Sequence, residues 1–529
     1  MAILASQATR RDAKAYFGRF GGQGQYPKRT DDTVDPSSPA TVHIALVKLC
    51  KGDAISNGSV LPGLAKTLVQ LGRLGMPSCV VVEPEENYTI REPTSAWNCS
   101  ALRQKYSDMV NRVVHAIENQ GGQSIPVLEE LLEQPVSRKH ATGEELGTVK
   151  FVVDGIEAAI CNTPAIVSPS GHQFLLNSVR RGQIPVIAPV SCGINPSLMP
   201  VSADGVIYRI CQGLTRNADC AVSSQIAIER VIIIDPIGGL PTSKRQNGFH
   251  LYVNLQQEYD EMLAELTSMA KSQTDGSTVR NTNLHLRNLV LTNLCLQILS
   301  PTSSALITTP LIASAVPARG VPQSLIHNLL TDKPLVSPSL PPRRSVVPIS
   351  RTTLLRKGLQ VTVYKNIQGA ISGQSLDFGR LSSLIEDSFG RHLNIGHYRE
   401  RIRDKVAAVI VAGDYEGAAV VTKESTSSES MSCWIPYLDK FAVSTNSQGS
   451  GGVADIVFNV LTSTFPDDLI WRSRKSNPVN KWVAPSFDTV NETSISNELV
   501  VLGIYQEPIG VCFGPHLKLP LQDSQNMSI

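Results

Sequence analysis

A strand, a glycine-rich loop and a helix follow one another between residues 434 and 464. Side chains of the first strand are expected to alternate between two faces. One set is Tyr437, Asp439, Phe441 and Val443, and the other is Leu438, Lys440 and Ala442. Apolar residues then recur at i, i+3, i+4, i+7 and i+8 from Val453, which predicts a helix with one buried face. Leu469, Ile470 and Trp471 begin a second strand, so the segment predicts a β-loop-α-β unit.

The loop, Asn446 to Gly452, offers backbone N–H groups with few side chains in the way. It leads directly into the helix, whose N-terminus carries unpaired donors and the positive end of the helix dipole. This arrangement suits a phosphate or a pyrophosphate. Most glycine-rich turns are hairpins or mobile loops, so the loop on its own leaves both interpretations open.

A basic segment, WRSRKSNPVNKW at residues 471–482, ends the second strand. Arg472 and Arg474 lie two positions apart and project to one face of a strand, which presents two planar guanidinium groups to carboxylates. Asn477 adds an amide. The alternative interpretation of such a pair is a solvated basic strand end.

These segments resemble the acetyltransferase domain of N-acetylglutamate synthases of the fungal and vertebrate type. The resemblance rests on YLDKF at residues 437–441 and on WRSR-x-x-NP-x-N-x-W at residues 471–482. The β-loop-α-β order is similar to the Gcn5-related acetyltransferase (GNAT) fold. Asn446, Gly449 and Gly451 stand in the slots of its pyrophosphate-binding loop, and a second frame from Gln448 keeps the family's glutamine.

The resemblance implies transfer of an acetyl group from acetyl-CoA to the α-amine of L-glutamate by direct attack, which is the entry step of arginine biosynthesis. The glutamate-binding residues it implies are Arg391, Lys440, Arg472, Ser473, Arg474 and Asn477. The acetyl-CoA-binding residues it implies are Phe441, Ala442, Val443, Gln448, Gly449, Ser450, Gly451 and Gly452. Arg391 stands where relatives can carry lysine, so the charge is kept while the geometry changes.

The resemblance stops after Trp482. In the family this tryptophan is followed by a tyrosine that is placed to protonate the departing CoA thiolate, whereas this chain has Val483, so its catalytic acid is unknown. Residues 483–529 diverge from the family, although ELVVLGIY and PIGVCFG could supply closing strands. We expect a retained intron or a frameshift in the gene model rather than a natural loss of the acid, because the divergence is abrupt.

From residue 41 onward, apolar strands alternate with helices, which predicts a mainly parallel sheet covered on both faces. The strands include VHIALVKL at 42–49, SCVVVE at 78–83, FVVDGIEAAI at 151–160, IPVIAPV at 184–190 and ERVIIIDP at 229–236, and Leu64, Leu68, Leu71 and Leu74 stripe a helix. Farther along the chain, Leu381, Leu384, Ile385 and Phe389 stripe another helix, and VAAVIVAGDYEGAAVVTKE at 406–424 predicts a hairpin whose turn is GDYEG. Over residues 41–300, order and content resemble the amino-acid kinase fold, with Lys48 and SADG at 202–205 as nucleotide-side remnants. Kinases of that fold place a glycine pair after the first strand, and here only Gly52 is close. The resemblance therefore implies an arginine-sensing and assembly module.

The 529 residues suggest two or three domains. We expect a basic N-terminal extension over residues 1–40, as a partial transit segment or a disordered basic terminus, and a kinase-like domain over 41–300. A proline-rich linker over 301–350, whose strand-like piece LITTP could still dock on the kinase-like domain, and an acetyltransferase domain over 351–529 complete the expected order. The expected class is thus α/β: an amino-acid-kinase-like parallel-sheet domain followed by a GNAT α+β domain.

Composition sets the remaining expectations. The net charge of +2 gives no nucleic-acid footprint, and no run reaches the roughly 18 apolar residues of a membrane span. Ten cysteines without C-x-x-C spacing indicate reduced thiols and no metal site. The resemblance further implies the mitochondrial matrix, inhibition by L-arginine, contact with acetylglutamate kinase and a homotetramer. Two alternatives stay open: an arginine-sensing pseudoenzyme that docks on that kinase, and an amino-acid kinase fused to an acetyltransferase.

Overall fold

The structure is a computed structural model, and the residues it describes form two compact units. The first unit comprises residues 41–332 and 351–357, and the second comprises residues 358–504. The described ranges are 41–50, 60–84, 99–133, 149–153, 156–161, 165–192, 198–216, 225–243, 248–272, 275–315, 324–332, 351–365, 376–425, 434–447, 452–466, 469–474, 493–494 and 499–504.

An eight-stranded sheet organises the first unit, in the order β12-β14-β13-β11-β1-β2-β8-β3. Its strands are β1 (Val42–Leu49), β2 (Ser78–Val82), β3 (Gln123–Val127), β8 (Gln183–Ile187), β11 (Ile226–Ile234), β12 (Tyr252–Asn254), β13 (Ser304–Thr308) and β14 (Thr353–Arg356). All neighbours pair in parallel except β13 and β14, which are antiparallel. The prediction of a mainly parallel sheet is confirmed.

Strand β1 shows why both faces of this sheet are covered. Ile44, Ala45, Leu46 and Val47 are consecutive and are all fully buried. Since consecutive side chains of a strand point to opposite faces, apolar layers cover the strand on both sides. The same apolar run that predicted a strand at residues 42–49 therefore also places it in the interior.

Helices connect these strands. They are α1 (Val60–Arg73), α2 (Cys99–Asn119), α3 (Pro169–Arg180), α4 (Ala203–Arg216), α5 (Leu255–Ser272), α6 (Gly276–Ile298), α7 (Pro310–Ser314) and α8 (Ser324–Thr331). In α1 the predicted stripe Leu64, Leu68 and Leu71 is buried. Helix α3 begins at Ser168, whose hydroxyl accepts from the N–H of Gly171, so the start of this helix follows from a serine cap.

Two small sheets complete the first unit. One has the order β10-β9-β4-β7, with β4 (Leu132–Glu133), β7 (Ile166–Val167), β9 (Val190–Cys192) and β10 (Leu198–Pro200). The other is an antiparallel pair of β5 (Val149–Val153) and β6 (Ile156–Cys161). The segment FVVDGIEAAI is thus divided between two strands that lie outside the large sheet.

The structure differs from the expected boundaries at residues 300 and 350. Strand β13 lies within the expected linker, yet all of its residues are buried in the large sheet. Strand β14 lies within the expected acetyltransferase domain, yet it pairs with β12 and β13 of the first unit. Pro301 and Pro310 flank β13, and Pro310 begins α7. These two prolines flank a short strand, and the later prolines of the expected linker lie outside the described residues.

A seven-stranded sheet organises the second unit, in the order β15-β16-β17-β18-β19-β21-β20. The strands are β15 (Val361–Lys365), β16 (Val406–Ala412), β17 (Gly417–Ser425), β18 (Trp434–Val443), β19 (Leu469–Arg474), β20 (Thr493–Ser494) and β21 (Leu499–Ile504). Every neighbouring pair is antiparallel except β18 with β19. The turn GDYEG joins β16 to β17 as predicted, and ELVVLGIY supplies the closing strand β21.

Three described helices belong to this unit: α9 (Phe378–Phe389), α10 (Ile395–Ile402) and α11 (Val453–Thr464). Leu381, Leu384 and Ile385 of α9 are buried in one core with Tyr398 of α10. Phe389 was expected in the same stripe but is 41% exposed, because it is the last residue of the helix. In the part of the chain that the structure describes, no helix combines the length and the apolarity needed to cross a bilayer.

Candidate active site

Strands β18 and β19 separate toward their carboxyl ends. Among the described residues they pair only at Tyr437 with Ile470 and at Leu438 with Trp471. Strand β18 then continues to Val443 along β17, and β19 continues to Arg474 along β21. Because each strand follows its other neighbour, a wedge opens between residues 439–443 and residues 472–474. The wedge exposes a length of strand edge on which an extended ligand can add its own hydrogen bonds.

Strand β18 contains a β-bulge at Asp439. Lys440 pairs with Val420 and Leu438 pairs with Val421, so Asp439 has no partner in β17. An extra residue of this kind shifts the alternation of side chains beyond it by one position. The predicted alternation of Tyr437, Asp439, Phe441 and Val443 is therefore wrong beyond Asp439, and Lys440 joins the face of Tyr437 and Asp439.

Side-chain contacts bear out this shift. The ring of Phe441 lies edge-to-face against Phe458 of α11, at 6.4 Å between centroids, and Phe458 packs in the same way on Trp471. Lys440 instead lies over the ring of Tyr398 of α10, with Nζ 5.8 Å from the centroid. Lys440 and Phe441 thus lie on opposite faces of the sheet, and the face of Lys440 is the one covered by α10.

Four polar side chains meet on that face. The hydroxyl of Tyr398 donates to Oδ2 of Asp439 at 2.9 Å, and Nη2 of Arg401 donates to Oδ1 at 2.8 Å. Nζ of Lys440 lies 3.8 Å from Oδ2 of Asp439. Burial, with the neighbouring Asp439 carboxylate, holds the pKa of Tyr398 well above its usual range, so this phenol remains a hydrogen-bond donor.

Arg472 belongs to the same face. It follows Trp471 in β19, so it lies opposite Trp471 and on the side of Ile470, which packs with Tyr437. Burial raises the pKa of Tyr437, and the Arg472 guanidinium lowers it in part, which places the charge of Arg472 near that hydroxyl. The backbones of Ser473 and Arg474 continue β19 opposite Val500 and Leu499.

Helix α11 begins at the open end of the wedge. Its N-cap is Gly452, which has φ of 66° and makes no side-chain cap hydrogen bond. Gly417 pairs with Val443, and a Cβ on Gly417 would lie 2.6 Å from Cγ1 of Val453, so the first turn of α11 lies against the end of β18. The uncapped N–H groups of that turn suit an anion such as a pyrophosphate.

The other residues predicted to bind acetyl-CoA differ in burial and in the hydrogen bonds they already make. Ala442 is buried, and Phe441 is half-buried. The N–H of Val443 donates to Oγ of Ser388 at 3.1 Å, so this amide is already engaged by α9. Gln448, Gly449, Ser450 and Gly451 lie outside the described residues.

The structure brings together only some of the residues predicted to bind glutamate, the acetyl acceptor. Lys440 and Arg472 share one face, as described above. Arg391 is exposed and directly follows Gly390, the left-handed residue that ends α9. Asn477 and Val483 lie outside the described residues. Asp439, Tyr398 and Arg401 were not predicted, and the only available signal was the i, i+3 spacing of Tyr398 and Arg401 in a short basic helix.

The first unit has its own polar cluster at the carboxyl edge of the large sheet. Lys48 forms an ion pair with the buried carboxylate of Asp204 and lies 3.7 Å from Glu83, and Nε of Arg287 donates to Asp204 at 3.0 Å. Burial opposes the charge of Asp204, but Arg287 and Lys48 hold its pKa below the ordinary value. Two cations and two carboxylates therefore balance one another at this edge of the sheet. Gly52 lies outside the described residues, and among the described residues no cluster could hold a metal ion.

The antiparallel sheet with its wedge and uncapped helix defines an N-acetyltransferase domain. Residues 368–489 match the family model described as the N-acetyltransferase of N-acetylglutamate synthase. The mitochondrial amino-acid acetyltransferase of Aspergillus oryzae is 31% identical over 593 aligned positions, which cover 91% of this chain and 82% of the relative. The protein of the same name from Pyrenophora tritici-repentis is 33% identical over 545 positions, which cover 85% and 72%. The chain belongs to the family of mitochondrial amino-acid acetyltransferases.

This membership makes the chain an acyltransferase that uses acetyl-CoA as its acetyl donor. It also confirms the expected fold class, an amino-acid-kinase-like α/β unit followed by a GNAT α+β unit. Among solved structures, N-acetylglutamate synthase from Neisseria gonorrhoeae complexed with coenzyme A and N-acetyl-glutamate aligns with a TM-score of 0.44 at 13% identity. That alignment covers 88% of this chain and 95% of the other.

Proposed function

We propose that the chain is an N-acetylglutamate synthase, which transfers the acetyl group of acetyl-CoA to the α-amine of L-glutamate in the first step of arginine biosynthesis. One observation carries this proposal: Lys440 and Arg472 share a face at the mouth of a wedge whose open end holds the uncapped N-terminus of α11. Cations for an anionic acceptor and a cradle for a phosphorylated donor thus lie next to one another.

The acceptor side requires cations because glutamate brings two carboxylates and one ammonium. Lys440 and Arg472 supply two positive charges on the α10 face, and Arg474 is proposed as a third. Arginine forks bind carboxylates with two parallel hydrogen bonds, whereas lysine binds as a point charge. Ser473, Asn477 and Arg391 complete the proposed acceptor set.

The donor side uses the edge of β18. With the N–H of Val443 bonded to Ser388, the backbones of Phe441 and Ala442 are the groups proposed to meet the thioester and the pantetheine arm. The loop from Gln448 to Gly452 and the first turn of α11 are proposed to hold the pyrophosphate. The donor would then lie along the wedge with its acetyl end toward Lys440.

The proposed chemistry is a direct attack. The glutamate ammonium loses a proton to solvent water, its nitrogen forms a bond to the thioester carbon and loses a second proton to water, and the carbon–sulfur bond breaks. The leaving thiolate must then gain a proton. With Val483 in the slot of the acid, solvent water supplies that proton, so the chemical step is expected to be slow.

Regulation and location are inferred from the family alone. We infer inhibition by L-arginine through the kinase-like unit, assembly as a tetramer, contact with acetylglutamate kinase and residence in the mitochondrial matrix. The curated relatives named above are mitochondrial, which supports the compartment.

Radiolabelled acetyl-CoA with L-glutamate, with and without L-arginine, tests this proposal. The expected result is labelled N-acetylglutamate, with its formation suppressed by arginine. A parallel reaction with labelled ATP and either glutamate or N-acetylglutamate tests for a kinase. Phosphorylated product would support the kinase alternative, and binding of arginine without any product would support the pseudoenzyme.

A further inference from the structure

The carboxylate of Asp439 is held from three sides in a nearly buried position. Its side chain is 6% exposed, and the two direct bonds come from Tyr398 and Arg401 of α10. The guanidinium of Arg401 also lies over the ring of Tyr398, 5.3 Å from its centroid. Tyr398 itself is 3% exposed. Helix α10 therefore fixes the one residue of β18 that β17 leaves unpaired.

Fixing Asp439 also fixes the bulge. Without the bulge, strand alternation would point Lys440 toward α11 and away from Arg472. That is the face that Phe441 occupies in this structure. The bulge places Asp439 and Lys440 on the α10 face instead, and the bonds from Tyr398 and Arg401 hold Asp439 there. Loss of those bonds would remove the contacts that select this register.

Lys440 is restrained by the same groups. Its Nζ lies 3.8 Å from Oδ2 of Asp439 and 5.8 Å from the ring centroid of Tyr398, and its side chain is 11% exposed. A lysine on a surface strand samples many rotamers, whereas this one has its ammonium held between a carboxylate and an aromatic face. One of the two proposed acceptor cations thereby has a restricted position.

We propose that Tyr398, Arg401 and Asp439 are positioning residues that hold Lys440 at a set distance from Arg472 and so select an acceptor with two carboxylates at glutamate's spacing. This inference rests on the proposed function, since it assigns Lys440 and Arg472 to the acceptor. It goes beyond that function because it places the selectivity in α10, which supplies no group to the substrate.

The first test is Tyr398→Phe, which removes one hydroxyl and keeps the ring under Lys440 and Arg401. Calorimetry on the full chain with coenzyme A bound measures the glutamate Kd, and steady-state kinetics measure KM and kcat. We expect the glutamate Kd and KM to rise about three- to tenfold, with acetyl-CoA KM changed less than about twofold. Preference for glutamate over aspartate and glutamine should fall by a similar factor.

Tyr415→Phe is the matched control. Tyr415 also lies under an arginine, with Arg380 at 4.8 Å from its ring centroid, and its hydroxyl accepts one hydrogen bond from the N–H of Asp377. This variant loses the same chemical group in the same unit, outside the proposed site. We expect its glutamate affinity and its selectivity to match those of the parent chain.

The second test is Asp439→Asn, which separates positioning from simple charge attraction. The change makes the site more positive, so attraction alone would tighten glutamate binding. Positioning predicts the opposite: glutamate affinity about tenfold weaker or more, because Lys440 and the bulge lose their anchor. If only one of Tyr398→Phe and Asp439→Asn folds, the glutamate affinity of that variant alone tests the positioning role.

Unchanged or tighter glutamate binding in both variants would overturn the positioning role while leaving the proposed function intact. A parent chain that binds no glutamate would overturn both. If the parent acetylates a different amino acid, the proposed function is wrong. The same variants are then measured on that acceptor, where a selective loss of its affinity supports the positioning role and no change overturns it.

Discussion

Arg472 and Lys440 reach the same face of the sheet by different routes. Arg472 does so by ordinary strand alternation after Trp471, which the R-x-R spacing already indicated. Lys440 does so only because β18 bulges at Asp439, and period-two alternation predicted the opposite face for it. The face they share could not be predicted from side-chain alternation, because the bulge is needed to bring Lys440 to it, and the assignment of both cations to the acceptor stays a prediction.

Substitution of Arg472 by alanine tests the acceptor assignment. A charge-assisted hydrogen bond contributes about 1.5–3 kcal/mol, so glutamate use should weaken about ten- to a hundredfold in Arg472→Ala. Folding should barely change, since the side chain is only half-buried. Arg380→Ala, which removes an exposed arginine paired with Asp414, is the control. If Arg472→Ala has the same glutamate kinetics as the parent, Arg472 and Arg474 are better described as a solvated basic strand end.

Val483 gives a second prediction at the level of one residue. A general acid contributes about 10²- to 10⁴-fold, so kcat should be depressed by that order while glutamate and acetyl-CoA still bind. Val483→Tyr should recover activity. Sequencing the transcript across the Trp482 codon comes first: a spliced message that continues into Tyr-Phe would show a gene-model error. If the message is uninterrupted and Val483→Tyr gains nothing, the missing acid is not the cause of slow turnover.

At the level of elements, local pattern located most strands and helices and failed where a contact distant in sequence decides the outcome. Strand β1, helix α9 and helix α11 follow from their apolar spacing. Asp439, the unpaired residue at the bulge in β18, is hydrogen-bonded by Tyr398 and Arg401, which are some 40 positions earlier in the chain. Likewise, β14 joins the first unit because β12 and β13 provide its partners, and nothing in its own four residues shows this.

The loop before α11 gives the prediction at this level. Valines at Gly449 and Gly451 would occupy the space that a pyrophosphate needs beside the backbone donors, so acetyl-CoA affinity should fall strongly in the double variant. Calorimetry measures the affinity of this double variant for acetyl-CoA. Gly276→Val is the control, since a Cβ on Gly276 of α6 would meet nothing within 4 Å. If the double variant binds acetyl-CoA as tightly as the parent chain does, the loop before α11 does not bind the pyrophosphate.

For the molecule as a whole, each unit has its own core and its own buried polar groups. The first unit holds the ion network of Lys48, Asp204, Glu83 and Arg287 under its sheet edge. It also holds His285 of α6, which is 7% exposed near Asp235. Buried groups of this kind make the stability of the unit depend on pH.

His285 yields a pH prediction. Burial lowers its pKa to about 4, while the unfolded chain protonates near the ordinary 6.5. The unfolded state therefore binds the extra proton first, so stability from this group is complete above about pH 6.5 and is lost as pH falls toward 4. Between pH 7 and pH 4.5 the loss should be about 2–3 kcal/mol.

Urea unfolding at pH 7 and pH 4.5, with hydrogen exchange of β1 as the readout, measures the loss in the free energy of unfolding. In His285→Gln the acid-dependent loss should shrink by about 2–3 kcal/mol. His115→Gln changes an exposed histidine of α2 and should keep the full loss. An identical pH dependence in His285→Gln and the parent would contradict the account of this residue.

The most direct test of the proposed active site is a crystal structure of the full chain with coenzyme A and N-acetylglutamate. We expect the pantetheine arm along residues 439–443 of β18, the pyrophosphate at the first turn of α11, and the product carboxylates within hydrogen-bond distance of Arg472 and Lys440. Product bound elsewhere, or bound in the wedge with both carboxylates away from these two cations, would contradict the assignment.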